Sequence, residues 1–208
     1  MARIGIFGGT FSPPHVGHLA CADAALSRLG LDRVLLMPVA RPPHKEATED
    51  PGPEHRLAMC RLATAGDERV GVSELEIQRG GPSYTVDTLR ALHEASPQDE
   101  LTFVAGGDMA ASLPGWREPE EVLRLARFAV AEREGADRAE VERALAGLEG
   151  RDRVVFFEMP RVEVSSSAIR RGIAAGRPVR DLVPDAVARY IDEHGLYGAA
   201  ASSRTMVG

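Results

Sequence analysis

Lysine and asparagine are all but missing from this chain. Lys45 is the only lysine among 25 basic residues, and no asparagine occurs in 208 positions. Hyperthermophilic chains tend to be rich in lysine, so a GC-rich coding bias accounts for the pattern better than heat tolerance does. Cysteine is scarce as well. Cys21 and Cys60 cannot build a disulfide framework, and they read as small, inert, buried residues of a reducing compartment. No long apolar run exists. The longest, Val34 to Ala40, is interrupted by Pro38 and falls far short of the roughly 20 residues that a membrane helix needs. Met1 to Phe7 runs directly into a strand-like pattern, which argues against a signal peptide. The expected location is cytoplasmic, with no membrane partner. The net charge of −6 has the wrong sign for a bulk nucleic-acid binder, though it leaves room for a local cationic pocket around a small anion.

What is present is ordinary for a soluble globular domain: 44% hydrophobic and 27% charged residues, in a chain long enough to bury a core without staples. Short apolar strands are expected at Ile4–Phe7, Arg33–Val39, Leu101–Ala105, Phe128–Ala131 and Val154–Phe157. Helices are expected at Val16–Leu29 (ended by Gly30), Glu54–Ala65, Tyr84–Ala95, Glu120–Leu125, Ser165–Ala175 and Pro184–His194. Val70–Ile77 alternates with a phase slip and reads as a strand or strand pair. Ala136–Leu148 reads as a charged, exposed helix, and His55, His93 and His194 as solvated surface. Arg41–Pro53, with its four prolines, is a long loop of the kind that is usually functional or disordered. Strands alternating with helices predict an α/β fold, a doubly wound parallel sheet covered on both faces with a small C-terminal helical part. Residues 1–198 would form a single domain and 199–208 a disordered tail. Ligands of such sheets bind beyond the carboxyl ends of the strands.

Two segments carry the chemistry. Gly8-Gly9-Thr10-Phe11-Ser12-Pro13-Pro14-His15-Val16-Gly17-His18 follows the first strand. Its glycines let backbone approach a phosphate, and the next helix offers free N–H groups. It is neither Gly-x-Gly-x-x-Gly nor a P-loop. His15 and His18, three apart, share one face of the first helical turn. They could cap or pack, supply half of a metal site, or act as two donors at a phosphate. The second segment is Ser165-Ser166-Ser167-Ala168-Ile169-Arg170. Serines at a helix start cap amides, and the same geometry with Arg170 one turn in binds anions. Lys45, alone of its kind, sits in Pro42-Pro43-His44-Lys45 and reads as a mobile cation closing over phosphates, or as a solvated loop charge.

Taken together these segments resemble the nucleotidylyltransferase superfamily, whose marks are His-x-Gly-His and a Ser-Ser-Thr-x-Ile-Arg type motif. Over about Arg3 to Tyr197 the chain resembles more closely the bacterial nicotinate-nucleotide adenylyltransferases, through Pro42–Lys45, Gly80-Gly81-Pro82-Ser83-Tyr84-Thr85-Val86-Asp87-Thr88, Gly106-Gly107-Asp108 and Trp116. Two positions depart from the pattern: Ser12 stands where the family usually has Asp, and Ser167 where it has Thr. The resemblance implies a Rossmann-like fold and AMP transfer from ATP to nicotinate mononucleotide. The products would be nicotinate adenine dinucleotide and pyrophosphate. It implies catalytic roles for His15, His18, Lys45 and Arg170. It places ATP against Gly8, Gly9, Thr10, Phe11, His15, His18, Gly106, Asp108, Ser165, Ser166, Ser167, Ile169 and Arg170. The acceptor would lie against Gly9, His44, Lys45, Tyr84, Thr85, Asp108, Trp116 and Arg117, with Trp116 stacked on the pyridine ring and Thr85 at the carboxylate. Without that implied role, Thr85 would be a helix N-cap and Tyr84 packing. Mg²⁺ would arrive on the ATP phosphates and keep much of its water, with no dedicated protein cage.

The nearest rival is a sister transferase acting on nicotinamide mononucleotide or phosphopantetheine, which would share the ATP half of the site. A nucleotide-binding scaffold with a dead site is opposed by the intact His15, His18, Ser166 and Arg170. A dehydrogenase ranks third. Homo-oligomer formation is left open by the sequence.

Overall fold

In the computed structural model, which describes residues 1–41, 50–132 and 138–199, the chain opens on β1 (Arg3–Gly9). Successive side chains of a strand face opposite ways, so Ile6 enters one core and Phe7 the other. Helix α1 (Val16–Leu29) follows and stops at Gly30, whose φ of 62° returns its N–H to the Leu26 carbonyl. Then come β2 (Arg33–Pro38), α2 (Pro53–Thr64), β3 (Val70–Val72), α3 (Leu75–Arg79), α4 (Thr85–Ala95) and β4 (Glu100–Gly106). The rest is α5 (Gly107–Ala111), α6 (Pro119–Leu125), β5 (Arg127–Glu132), α7 (Arg138–Ala144), β6 (Val154–Glu158), α8 (Ser166–Ala174) and α9 (Asp185–Glu193).

All six strands are parallel, in the order β3-β2-β1-β4-β5-β6. The chain winds outward through β2 and β3, then returns to β4 on the other side of β1. That reversal opens a crevice at the carboxyl ends of β1 and β4, the position where Rossmann-like doubly wound sheets take their ligands. One face of the sheet is covered by α4 and α6, with Val86, Leu89, Val122 and Leu123 on Ile6, Phe103 and Phe128. The other is covered by α1, with Ala22 and Leu26 on Val34, Leu36 and Val104. A third cluster joins Met59 of α2 to Ile169 and Ile173 of α8 and to Val187 and Ile191 of α9. The C-terminal helices are thereby docked beside the crevice, each buried aliphatic contributing about 1.5–3 kcal/mol.

Two expectations are corrected. Val70–Ile77 is not a strand pair. Val70 and Val72 pair with β2, the Ser73 hydroxyl then accepts the Leu75 N–H at 3.3 Å, and α3 begins. The phase slip in the alternation marks that change of element. Nor is the helix within Ala136–Leu148 simply exposed: Val141 and Leu145, one turn apart, are buried in the core with Phe128. The start of that segment, the loop positions Pro42 to Lys45 and the tail from residue 200 onward lie outside the described residues.

Candidate active site

β1 delivers the glycine turn to the crevice. Phe11 takes a left-handed φ of 50°, which costs a non-glycine residue roughly 1–2 kcal/mol. Its ring is fixed in return, 5.6 Å from Phe7 and 4.9 Å from the His18 ring. His15 is the N-cap residue of α1 and is 6% exposed. Its main-chain N–H donates to His18 Nδ1 at 3.1 Å, and the two imidazoles stack with centroids 3.6 Å apart. An accepting Nδ1 assigns the proton of a neutral His18 to Nε2, which makes that nitrogen a donor. Gly17 between them leaves the room this needs. A Cβ there would lie 3.0 Å from Val164 Cγ1 and 3.1 Å from His15 Nδ1. The His-x-Gly-His spacing is thus a packing requirement as well as a chemical one.

The second motif meets the first across 158 residues of sequence. Arg170 Nη1 donates to the Ser12 carbonyl at 2.9 Å, and Ser166 Oγ donates to the Pro13 carbonyl at 3.0 Å. Ser165 caps α8 by accepting the Ala168 N–H at 3.2 Å, and Ser167 Oγ accepts from Arg170 Nη2 at 3.4 Å. Ile169 is fully buried in the core. Ser12 is 4% exposed, and its hydroxyl shares a 3.0 Å hydrogen bond with that of Tyr197. Ser12, one of the two residues that depart from the family pattern, is therefore tied to Tyr197, 185 positions along the chain.

Across the crevice, Gly106 and Asp108 stand exposed where β4 passes into α5. Tyr84, not Thr85, occupies the N-cap position of α4, and Thr85 is its first helical residue. The Arg117 guanidinium lies over the Tyr84 ring, 5.1 Å from its centroid, and Nη1 donates to Asp87 Oδ2 at 3.2 Å. Trp116 is half-buried. It meets Phe103 and Phe128 edge-on at 5.7 and 5.9 Å, and its Nε1–H donates to Ser112 Oγ at 3.0 Å. One edge of the indole is thus anchored in the core. Pro42, Pro43, His44 and Lys45 fall outside the described residues.

Three residues near the site escaped the sequence reading, and one was misread. Arg56 is wholly buried on α2. Its place on one helical stripe with Cys60 and Thr64, both buried, was the available signal. Glu76 is also buried. It accepts from Thr88 Oγ1 at 2.7 Å, and its Oε2 has no hydrogen-bond partner among the described residues. Burial raises its carboxyl above the ordinary range, against the pull of the Thr88 and Ser83 hydroxyls and the charge of Arg79. Tyr197 carries a φ of 58°, and burial pushes its phenol up. His55 is not plain surface: its Nδ1 and the Tyr190 hydroxyl are 2.9 Å apart, and its ring meets that of His194. Cys21 and Cys60 are both buried, and desolvation pushes the Cys60 thiol up to about 12.

The chain is similar to known proteins over most of its length. The cytidylyltransferase-like family model matches residues 6–172. A Symbiobacterium thermophilum protein described as a "probable nicotinate-nucleotide adenylyltransferase" is 46% identical over 95% of this chain and 96% of its own length. A Roseiflexus protein of the same description is 46% identical over 94% of this chain and 98% of its own. Among solved structures, the Plasmodium falciparum nicotinic acid mononucleotide adenylyltransferase complexed with NaAD superposes with a TM-score of 0.78. At 20% identity, and with 97% and 100% of the two chains covered, that likeness speaks for the fold. The chain belongs to the cytidylyltransferase-like family and, within it, to the nicotinate-nucleotide adenylyltransferases.

Proposed function

We infer that the protein joins ATP to nicotinate mononucleotide, releasing pyrophosphate and forming nicotinate adenine dinucleotide. The observation that carries the reading is the convergence of the His15–His18 turn and the Ser166–Arg170 helix start, tied at the Ser12 and Pro13 carbonyls. Transfer of a nucleotidyl group asks little covalent help of a protein. It needs two anions brought into line and charge neutralised as pyrophosphate leaves. In this reading the acceptor's phosphate oxygen attacks the α-phosphorus of ATP, and the bond to the bridging oxygen of pyrophosphate breaks. The Nε2–H of His18 donates to the transferring phosphate. Arg170, Ser166 and Ser167 hold the β and γ groups while the glycine turn lends its backbone. Mg²⁺ would enter on the ATP phosphates and offset their charge. An ion so held asks for no ligand cage.

The acceptor half follows from α4 and Trp116. The Thr85 hydroxyl and the first amides of α4 are donors, suited to a carboxylate, whereas a carboxamide would turn its NH₂ toward them. The deciding experiment is pyrophosphate release with ATP and, in turn, nicotinate mononucleotide, nicotinamide mononucleotide and phosphopantetheine. Release with the first at a kcat/KM at least about tenfold above the second is expected, because an unmatched polar contact costs roughly 1–3 kcal/mol. Equal values for the two pyridine nucleotides would make the enzyme dual-specific.

A further inference from the structure

Arg56 is the largest of the fully buried side chains among the described residues. A desolvated charge persists only where it is thoroughly hydrogen-bonded, and here the partners are unusual. Nε donates to Asp50 Oδ1 at 2.9 Å. The remaining bonds go to main-chain carbonyls: Nη1 to Thr10 at 3.1 Å and Val39 at 2.7 Å, Nη2 to Ala40 at 3.1 Å. Those carbonyls belong to the segments leaving β1 and β2, at the crevice. In a trans peptide the C=O and the following N–H point in opposite directions, and Ser12–Pro13 is the only cis bond among the described residues. Drawing the Thr10 carbonyl toward the guanidinium therefore turns the Phe11 N–H to the other side of the glycine turn. Drawing in the Val39 carbonyl turns the Ala40 N–H away likewise, and that N–H donates to Ser83 Oγ at 3.0 Å, directly before Tyr84 and Thr85.

We propose that Arg56 is a positioning residue for adenylyl transfer. From behind β1 and β2 its guanidinium sets the Thr10–Phe11 peptide so that the Phe11 N–H faces the ATP phosphates. It sets the Val39–Ala40 peptide so that Ser83 is held at the entrance of the acceptor segment. One buried cation thus fixes the spacing of the two half-sites without touching either substrate. The inference rests on the adenylyltransferase reading above. A lysine cannot do the same work, because its three N–H groups radiate from one point and cannot span carbonyls on two strand exits.

The test is Arg56→Lys, with Asp50→Ala as a second variant at a partly exposed position that frees Nε without emptying the core. Each is followed by thermal melting, by steady-state pyrophosphate release per folded molecule, and by the ¹⁵N-resolved Phe11 amide on adding the magnesium salt of α,β-methylene ATP. In wild type the Phe11 amide is expected to shift on adding the analogue. Arg56→Lys is expected to melt cooperatively, to lose at least about tenfold in kcat, and to show a blunted Phe11 response. Asp50→Ala is expected to lose about threefold to tenfold in kcat. A purely structural arginine would leave kcat per folded molecule within about twofold in both variants, and that result overturns the proposal. So does a wild-type Phe11 amide that ignores the analogue. Should Arg56→Lys not fold, the Asp50→Ala kinetics and the wild-type amide decide. Absence of pyrophosphate release by wild type would refute the reaction itself, an outcome distinct from a working enzyme indifferent to Arg56.

Discussion

His18 is held at both ends of its chemistry. Its Nδ1 is committed to the His15 N–H, and its ring is wedged between His15 and Phe11. That leaves Nε2–H as a preorganised donor, and losing one such donor lowers kcat about a hundredfold or more. His18→Ala should do so in a pyrophosphate-release assay. It should also lower stability by about 1 kcal/mol, because it removes the bond that satisfies an N-terminal amide of α1. Near-normal turnover in a folded variant would remove His18 from the chemistry. Trp116 and Thr85 divide acceptor binding differently. Trp116→Ala should weaken nicotinate and nicotinamide mononucleotides alike and also lower the melting temperature, since the indole packs on Phe103 and Phe128. Thr85→Val should mainly erode the preference for the acid, and an unchanged ratio of the two kcat/KM values would exclude the hydroxyl from that choice. The residues that touch substrate in this reading were legible because their types and spacings are unusual: paired histidines, a lone tryptophan, consecutive serines. Arg56, Glu76 and Tyr197 were not. Their roles depend on which distant backbone or hydroxyl they meet, and an arginine in a chain so rich in arginine attracts no notice.

Helix α8 shows how one element does two jobs with adjacent serines. Ser165 satisfies the helix's own amide, whereas Ser166 reaches out to the Pro13 carbonyl. Ser165→Ala should therefore cost about 1 kcal/mol as a lost N-cap. Ser166→Ala should cost a similar amount and in addition raise KM for ATP, because the glycine turn and α8 would no longer be tied at that point. Denaturant midpoints and ATP titrations of both variants make the comparison. A Ser166→Ala enzyme with wild-type KM would mean that Arg170 alone carries the tie. At this scale the sequence was most readable where one periodicity persisted, as in β1, α1, β4 and α8. It misled where an element was short. Three residues of β3 are enough to pair with β2 but too few to show a period, so Leu75 and Ile77 of α3 were drawn into the same alternation. Around α7 the acidic and basic residues masked Val141 in the helix and Leu145 just past its end, because two apolar positions four apart weigh little in a charged window.

For the molecule as a whole, the shortage of lysine has a consequence at alkaline pH. Proteins usually carry many lysines that titrate near 10.4, and these blur any other group in that range. Here Lys45 is the only one, against 24 arginines that stay charged throughout, so the groups left are two cysteines and three tyrosines. Cys60 is buried among apolar neighbours, and desolvation raises its thiol from 9.0 to about 12, opposed only by the charge of Arg56. Tyr197 and Tyr190 are raised from 10.0 by burial as well. In each case the folded state resists losing a proton that the unfolded chain gives up readily. The stability is fully present below the unfolded value and is lost as pH climbs toward the folded one. Between pH 9 and 10 the Cys60 thiol should act ahead of these tyrosines, with a slope of up to about 1.4 kcal/mol per pH unit. Melting temperatures of wild type should therefore begin to fall near pH 9 and steepen above 10 as the tyrosines join. Cys60→Ala is expected to start lower at pH 7, having lost a packed sulfur, yet to fall less between pH 9 and 10. Parallel curves for the two proteins over that interval would remove Cys60 as the origin of the first alkaline loss.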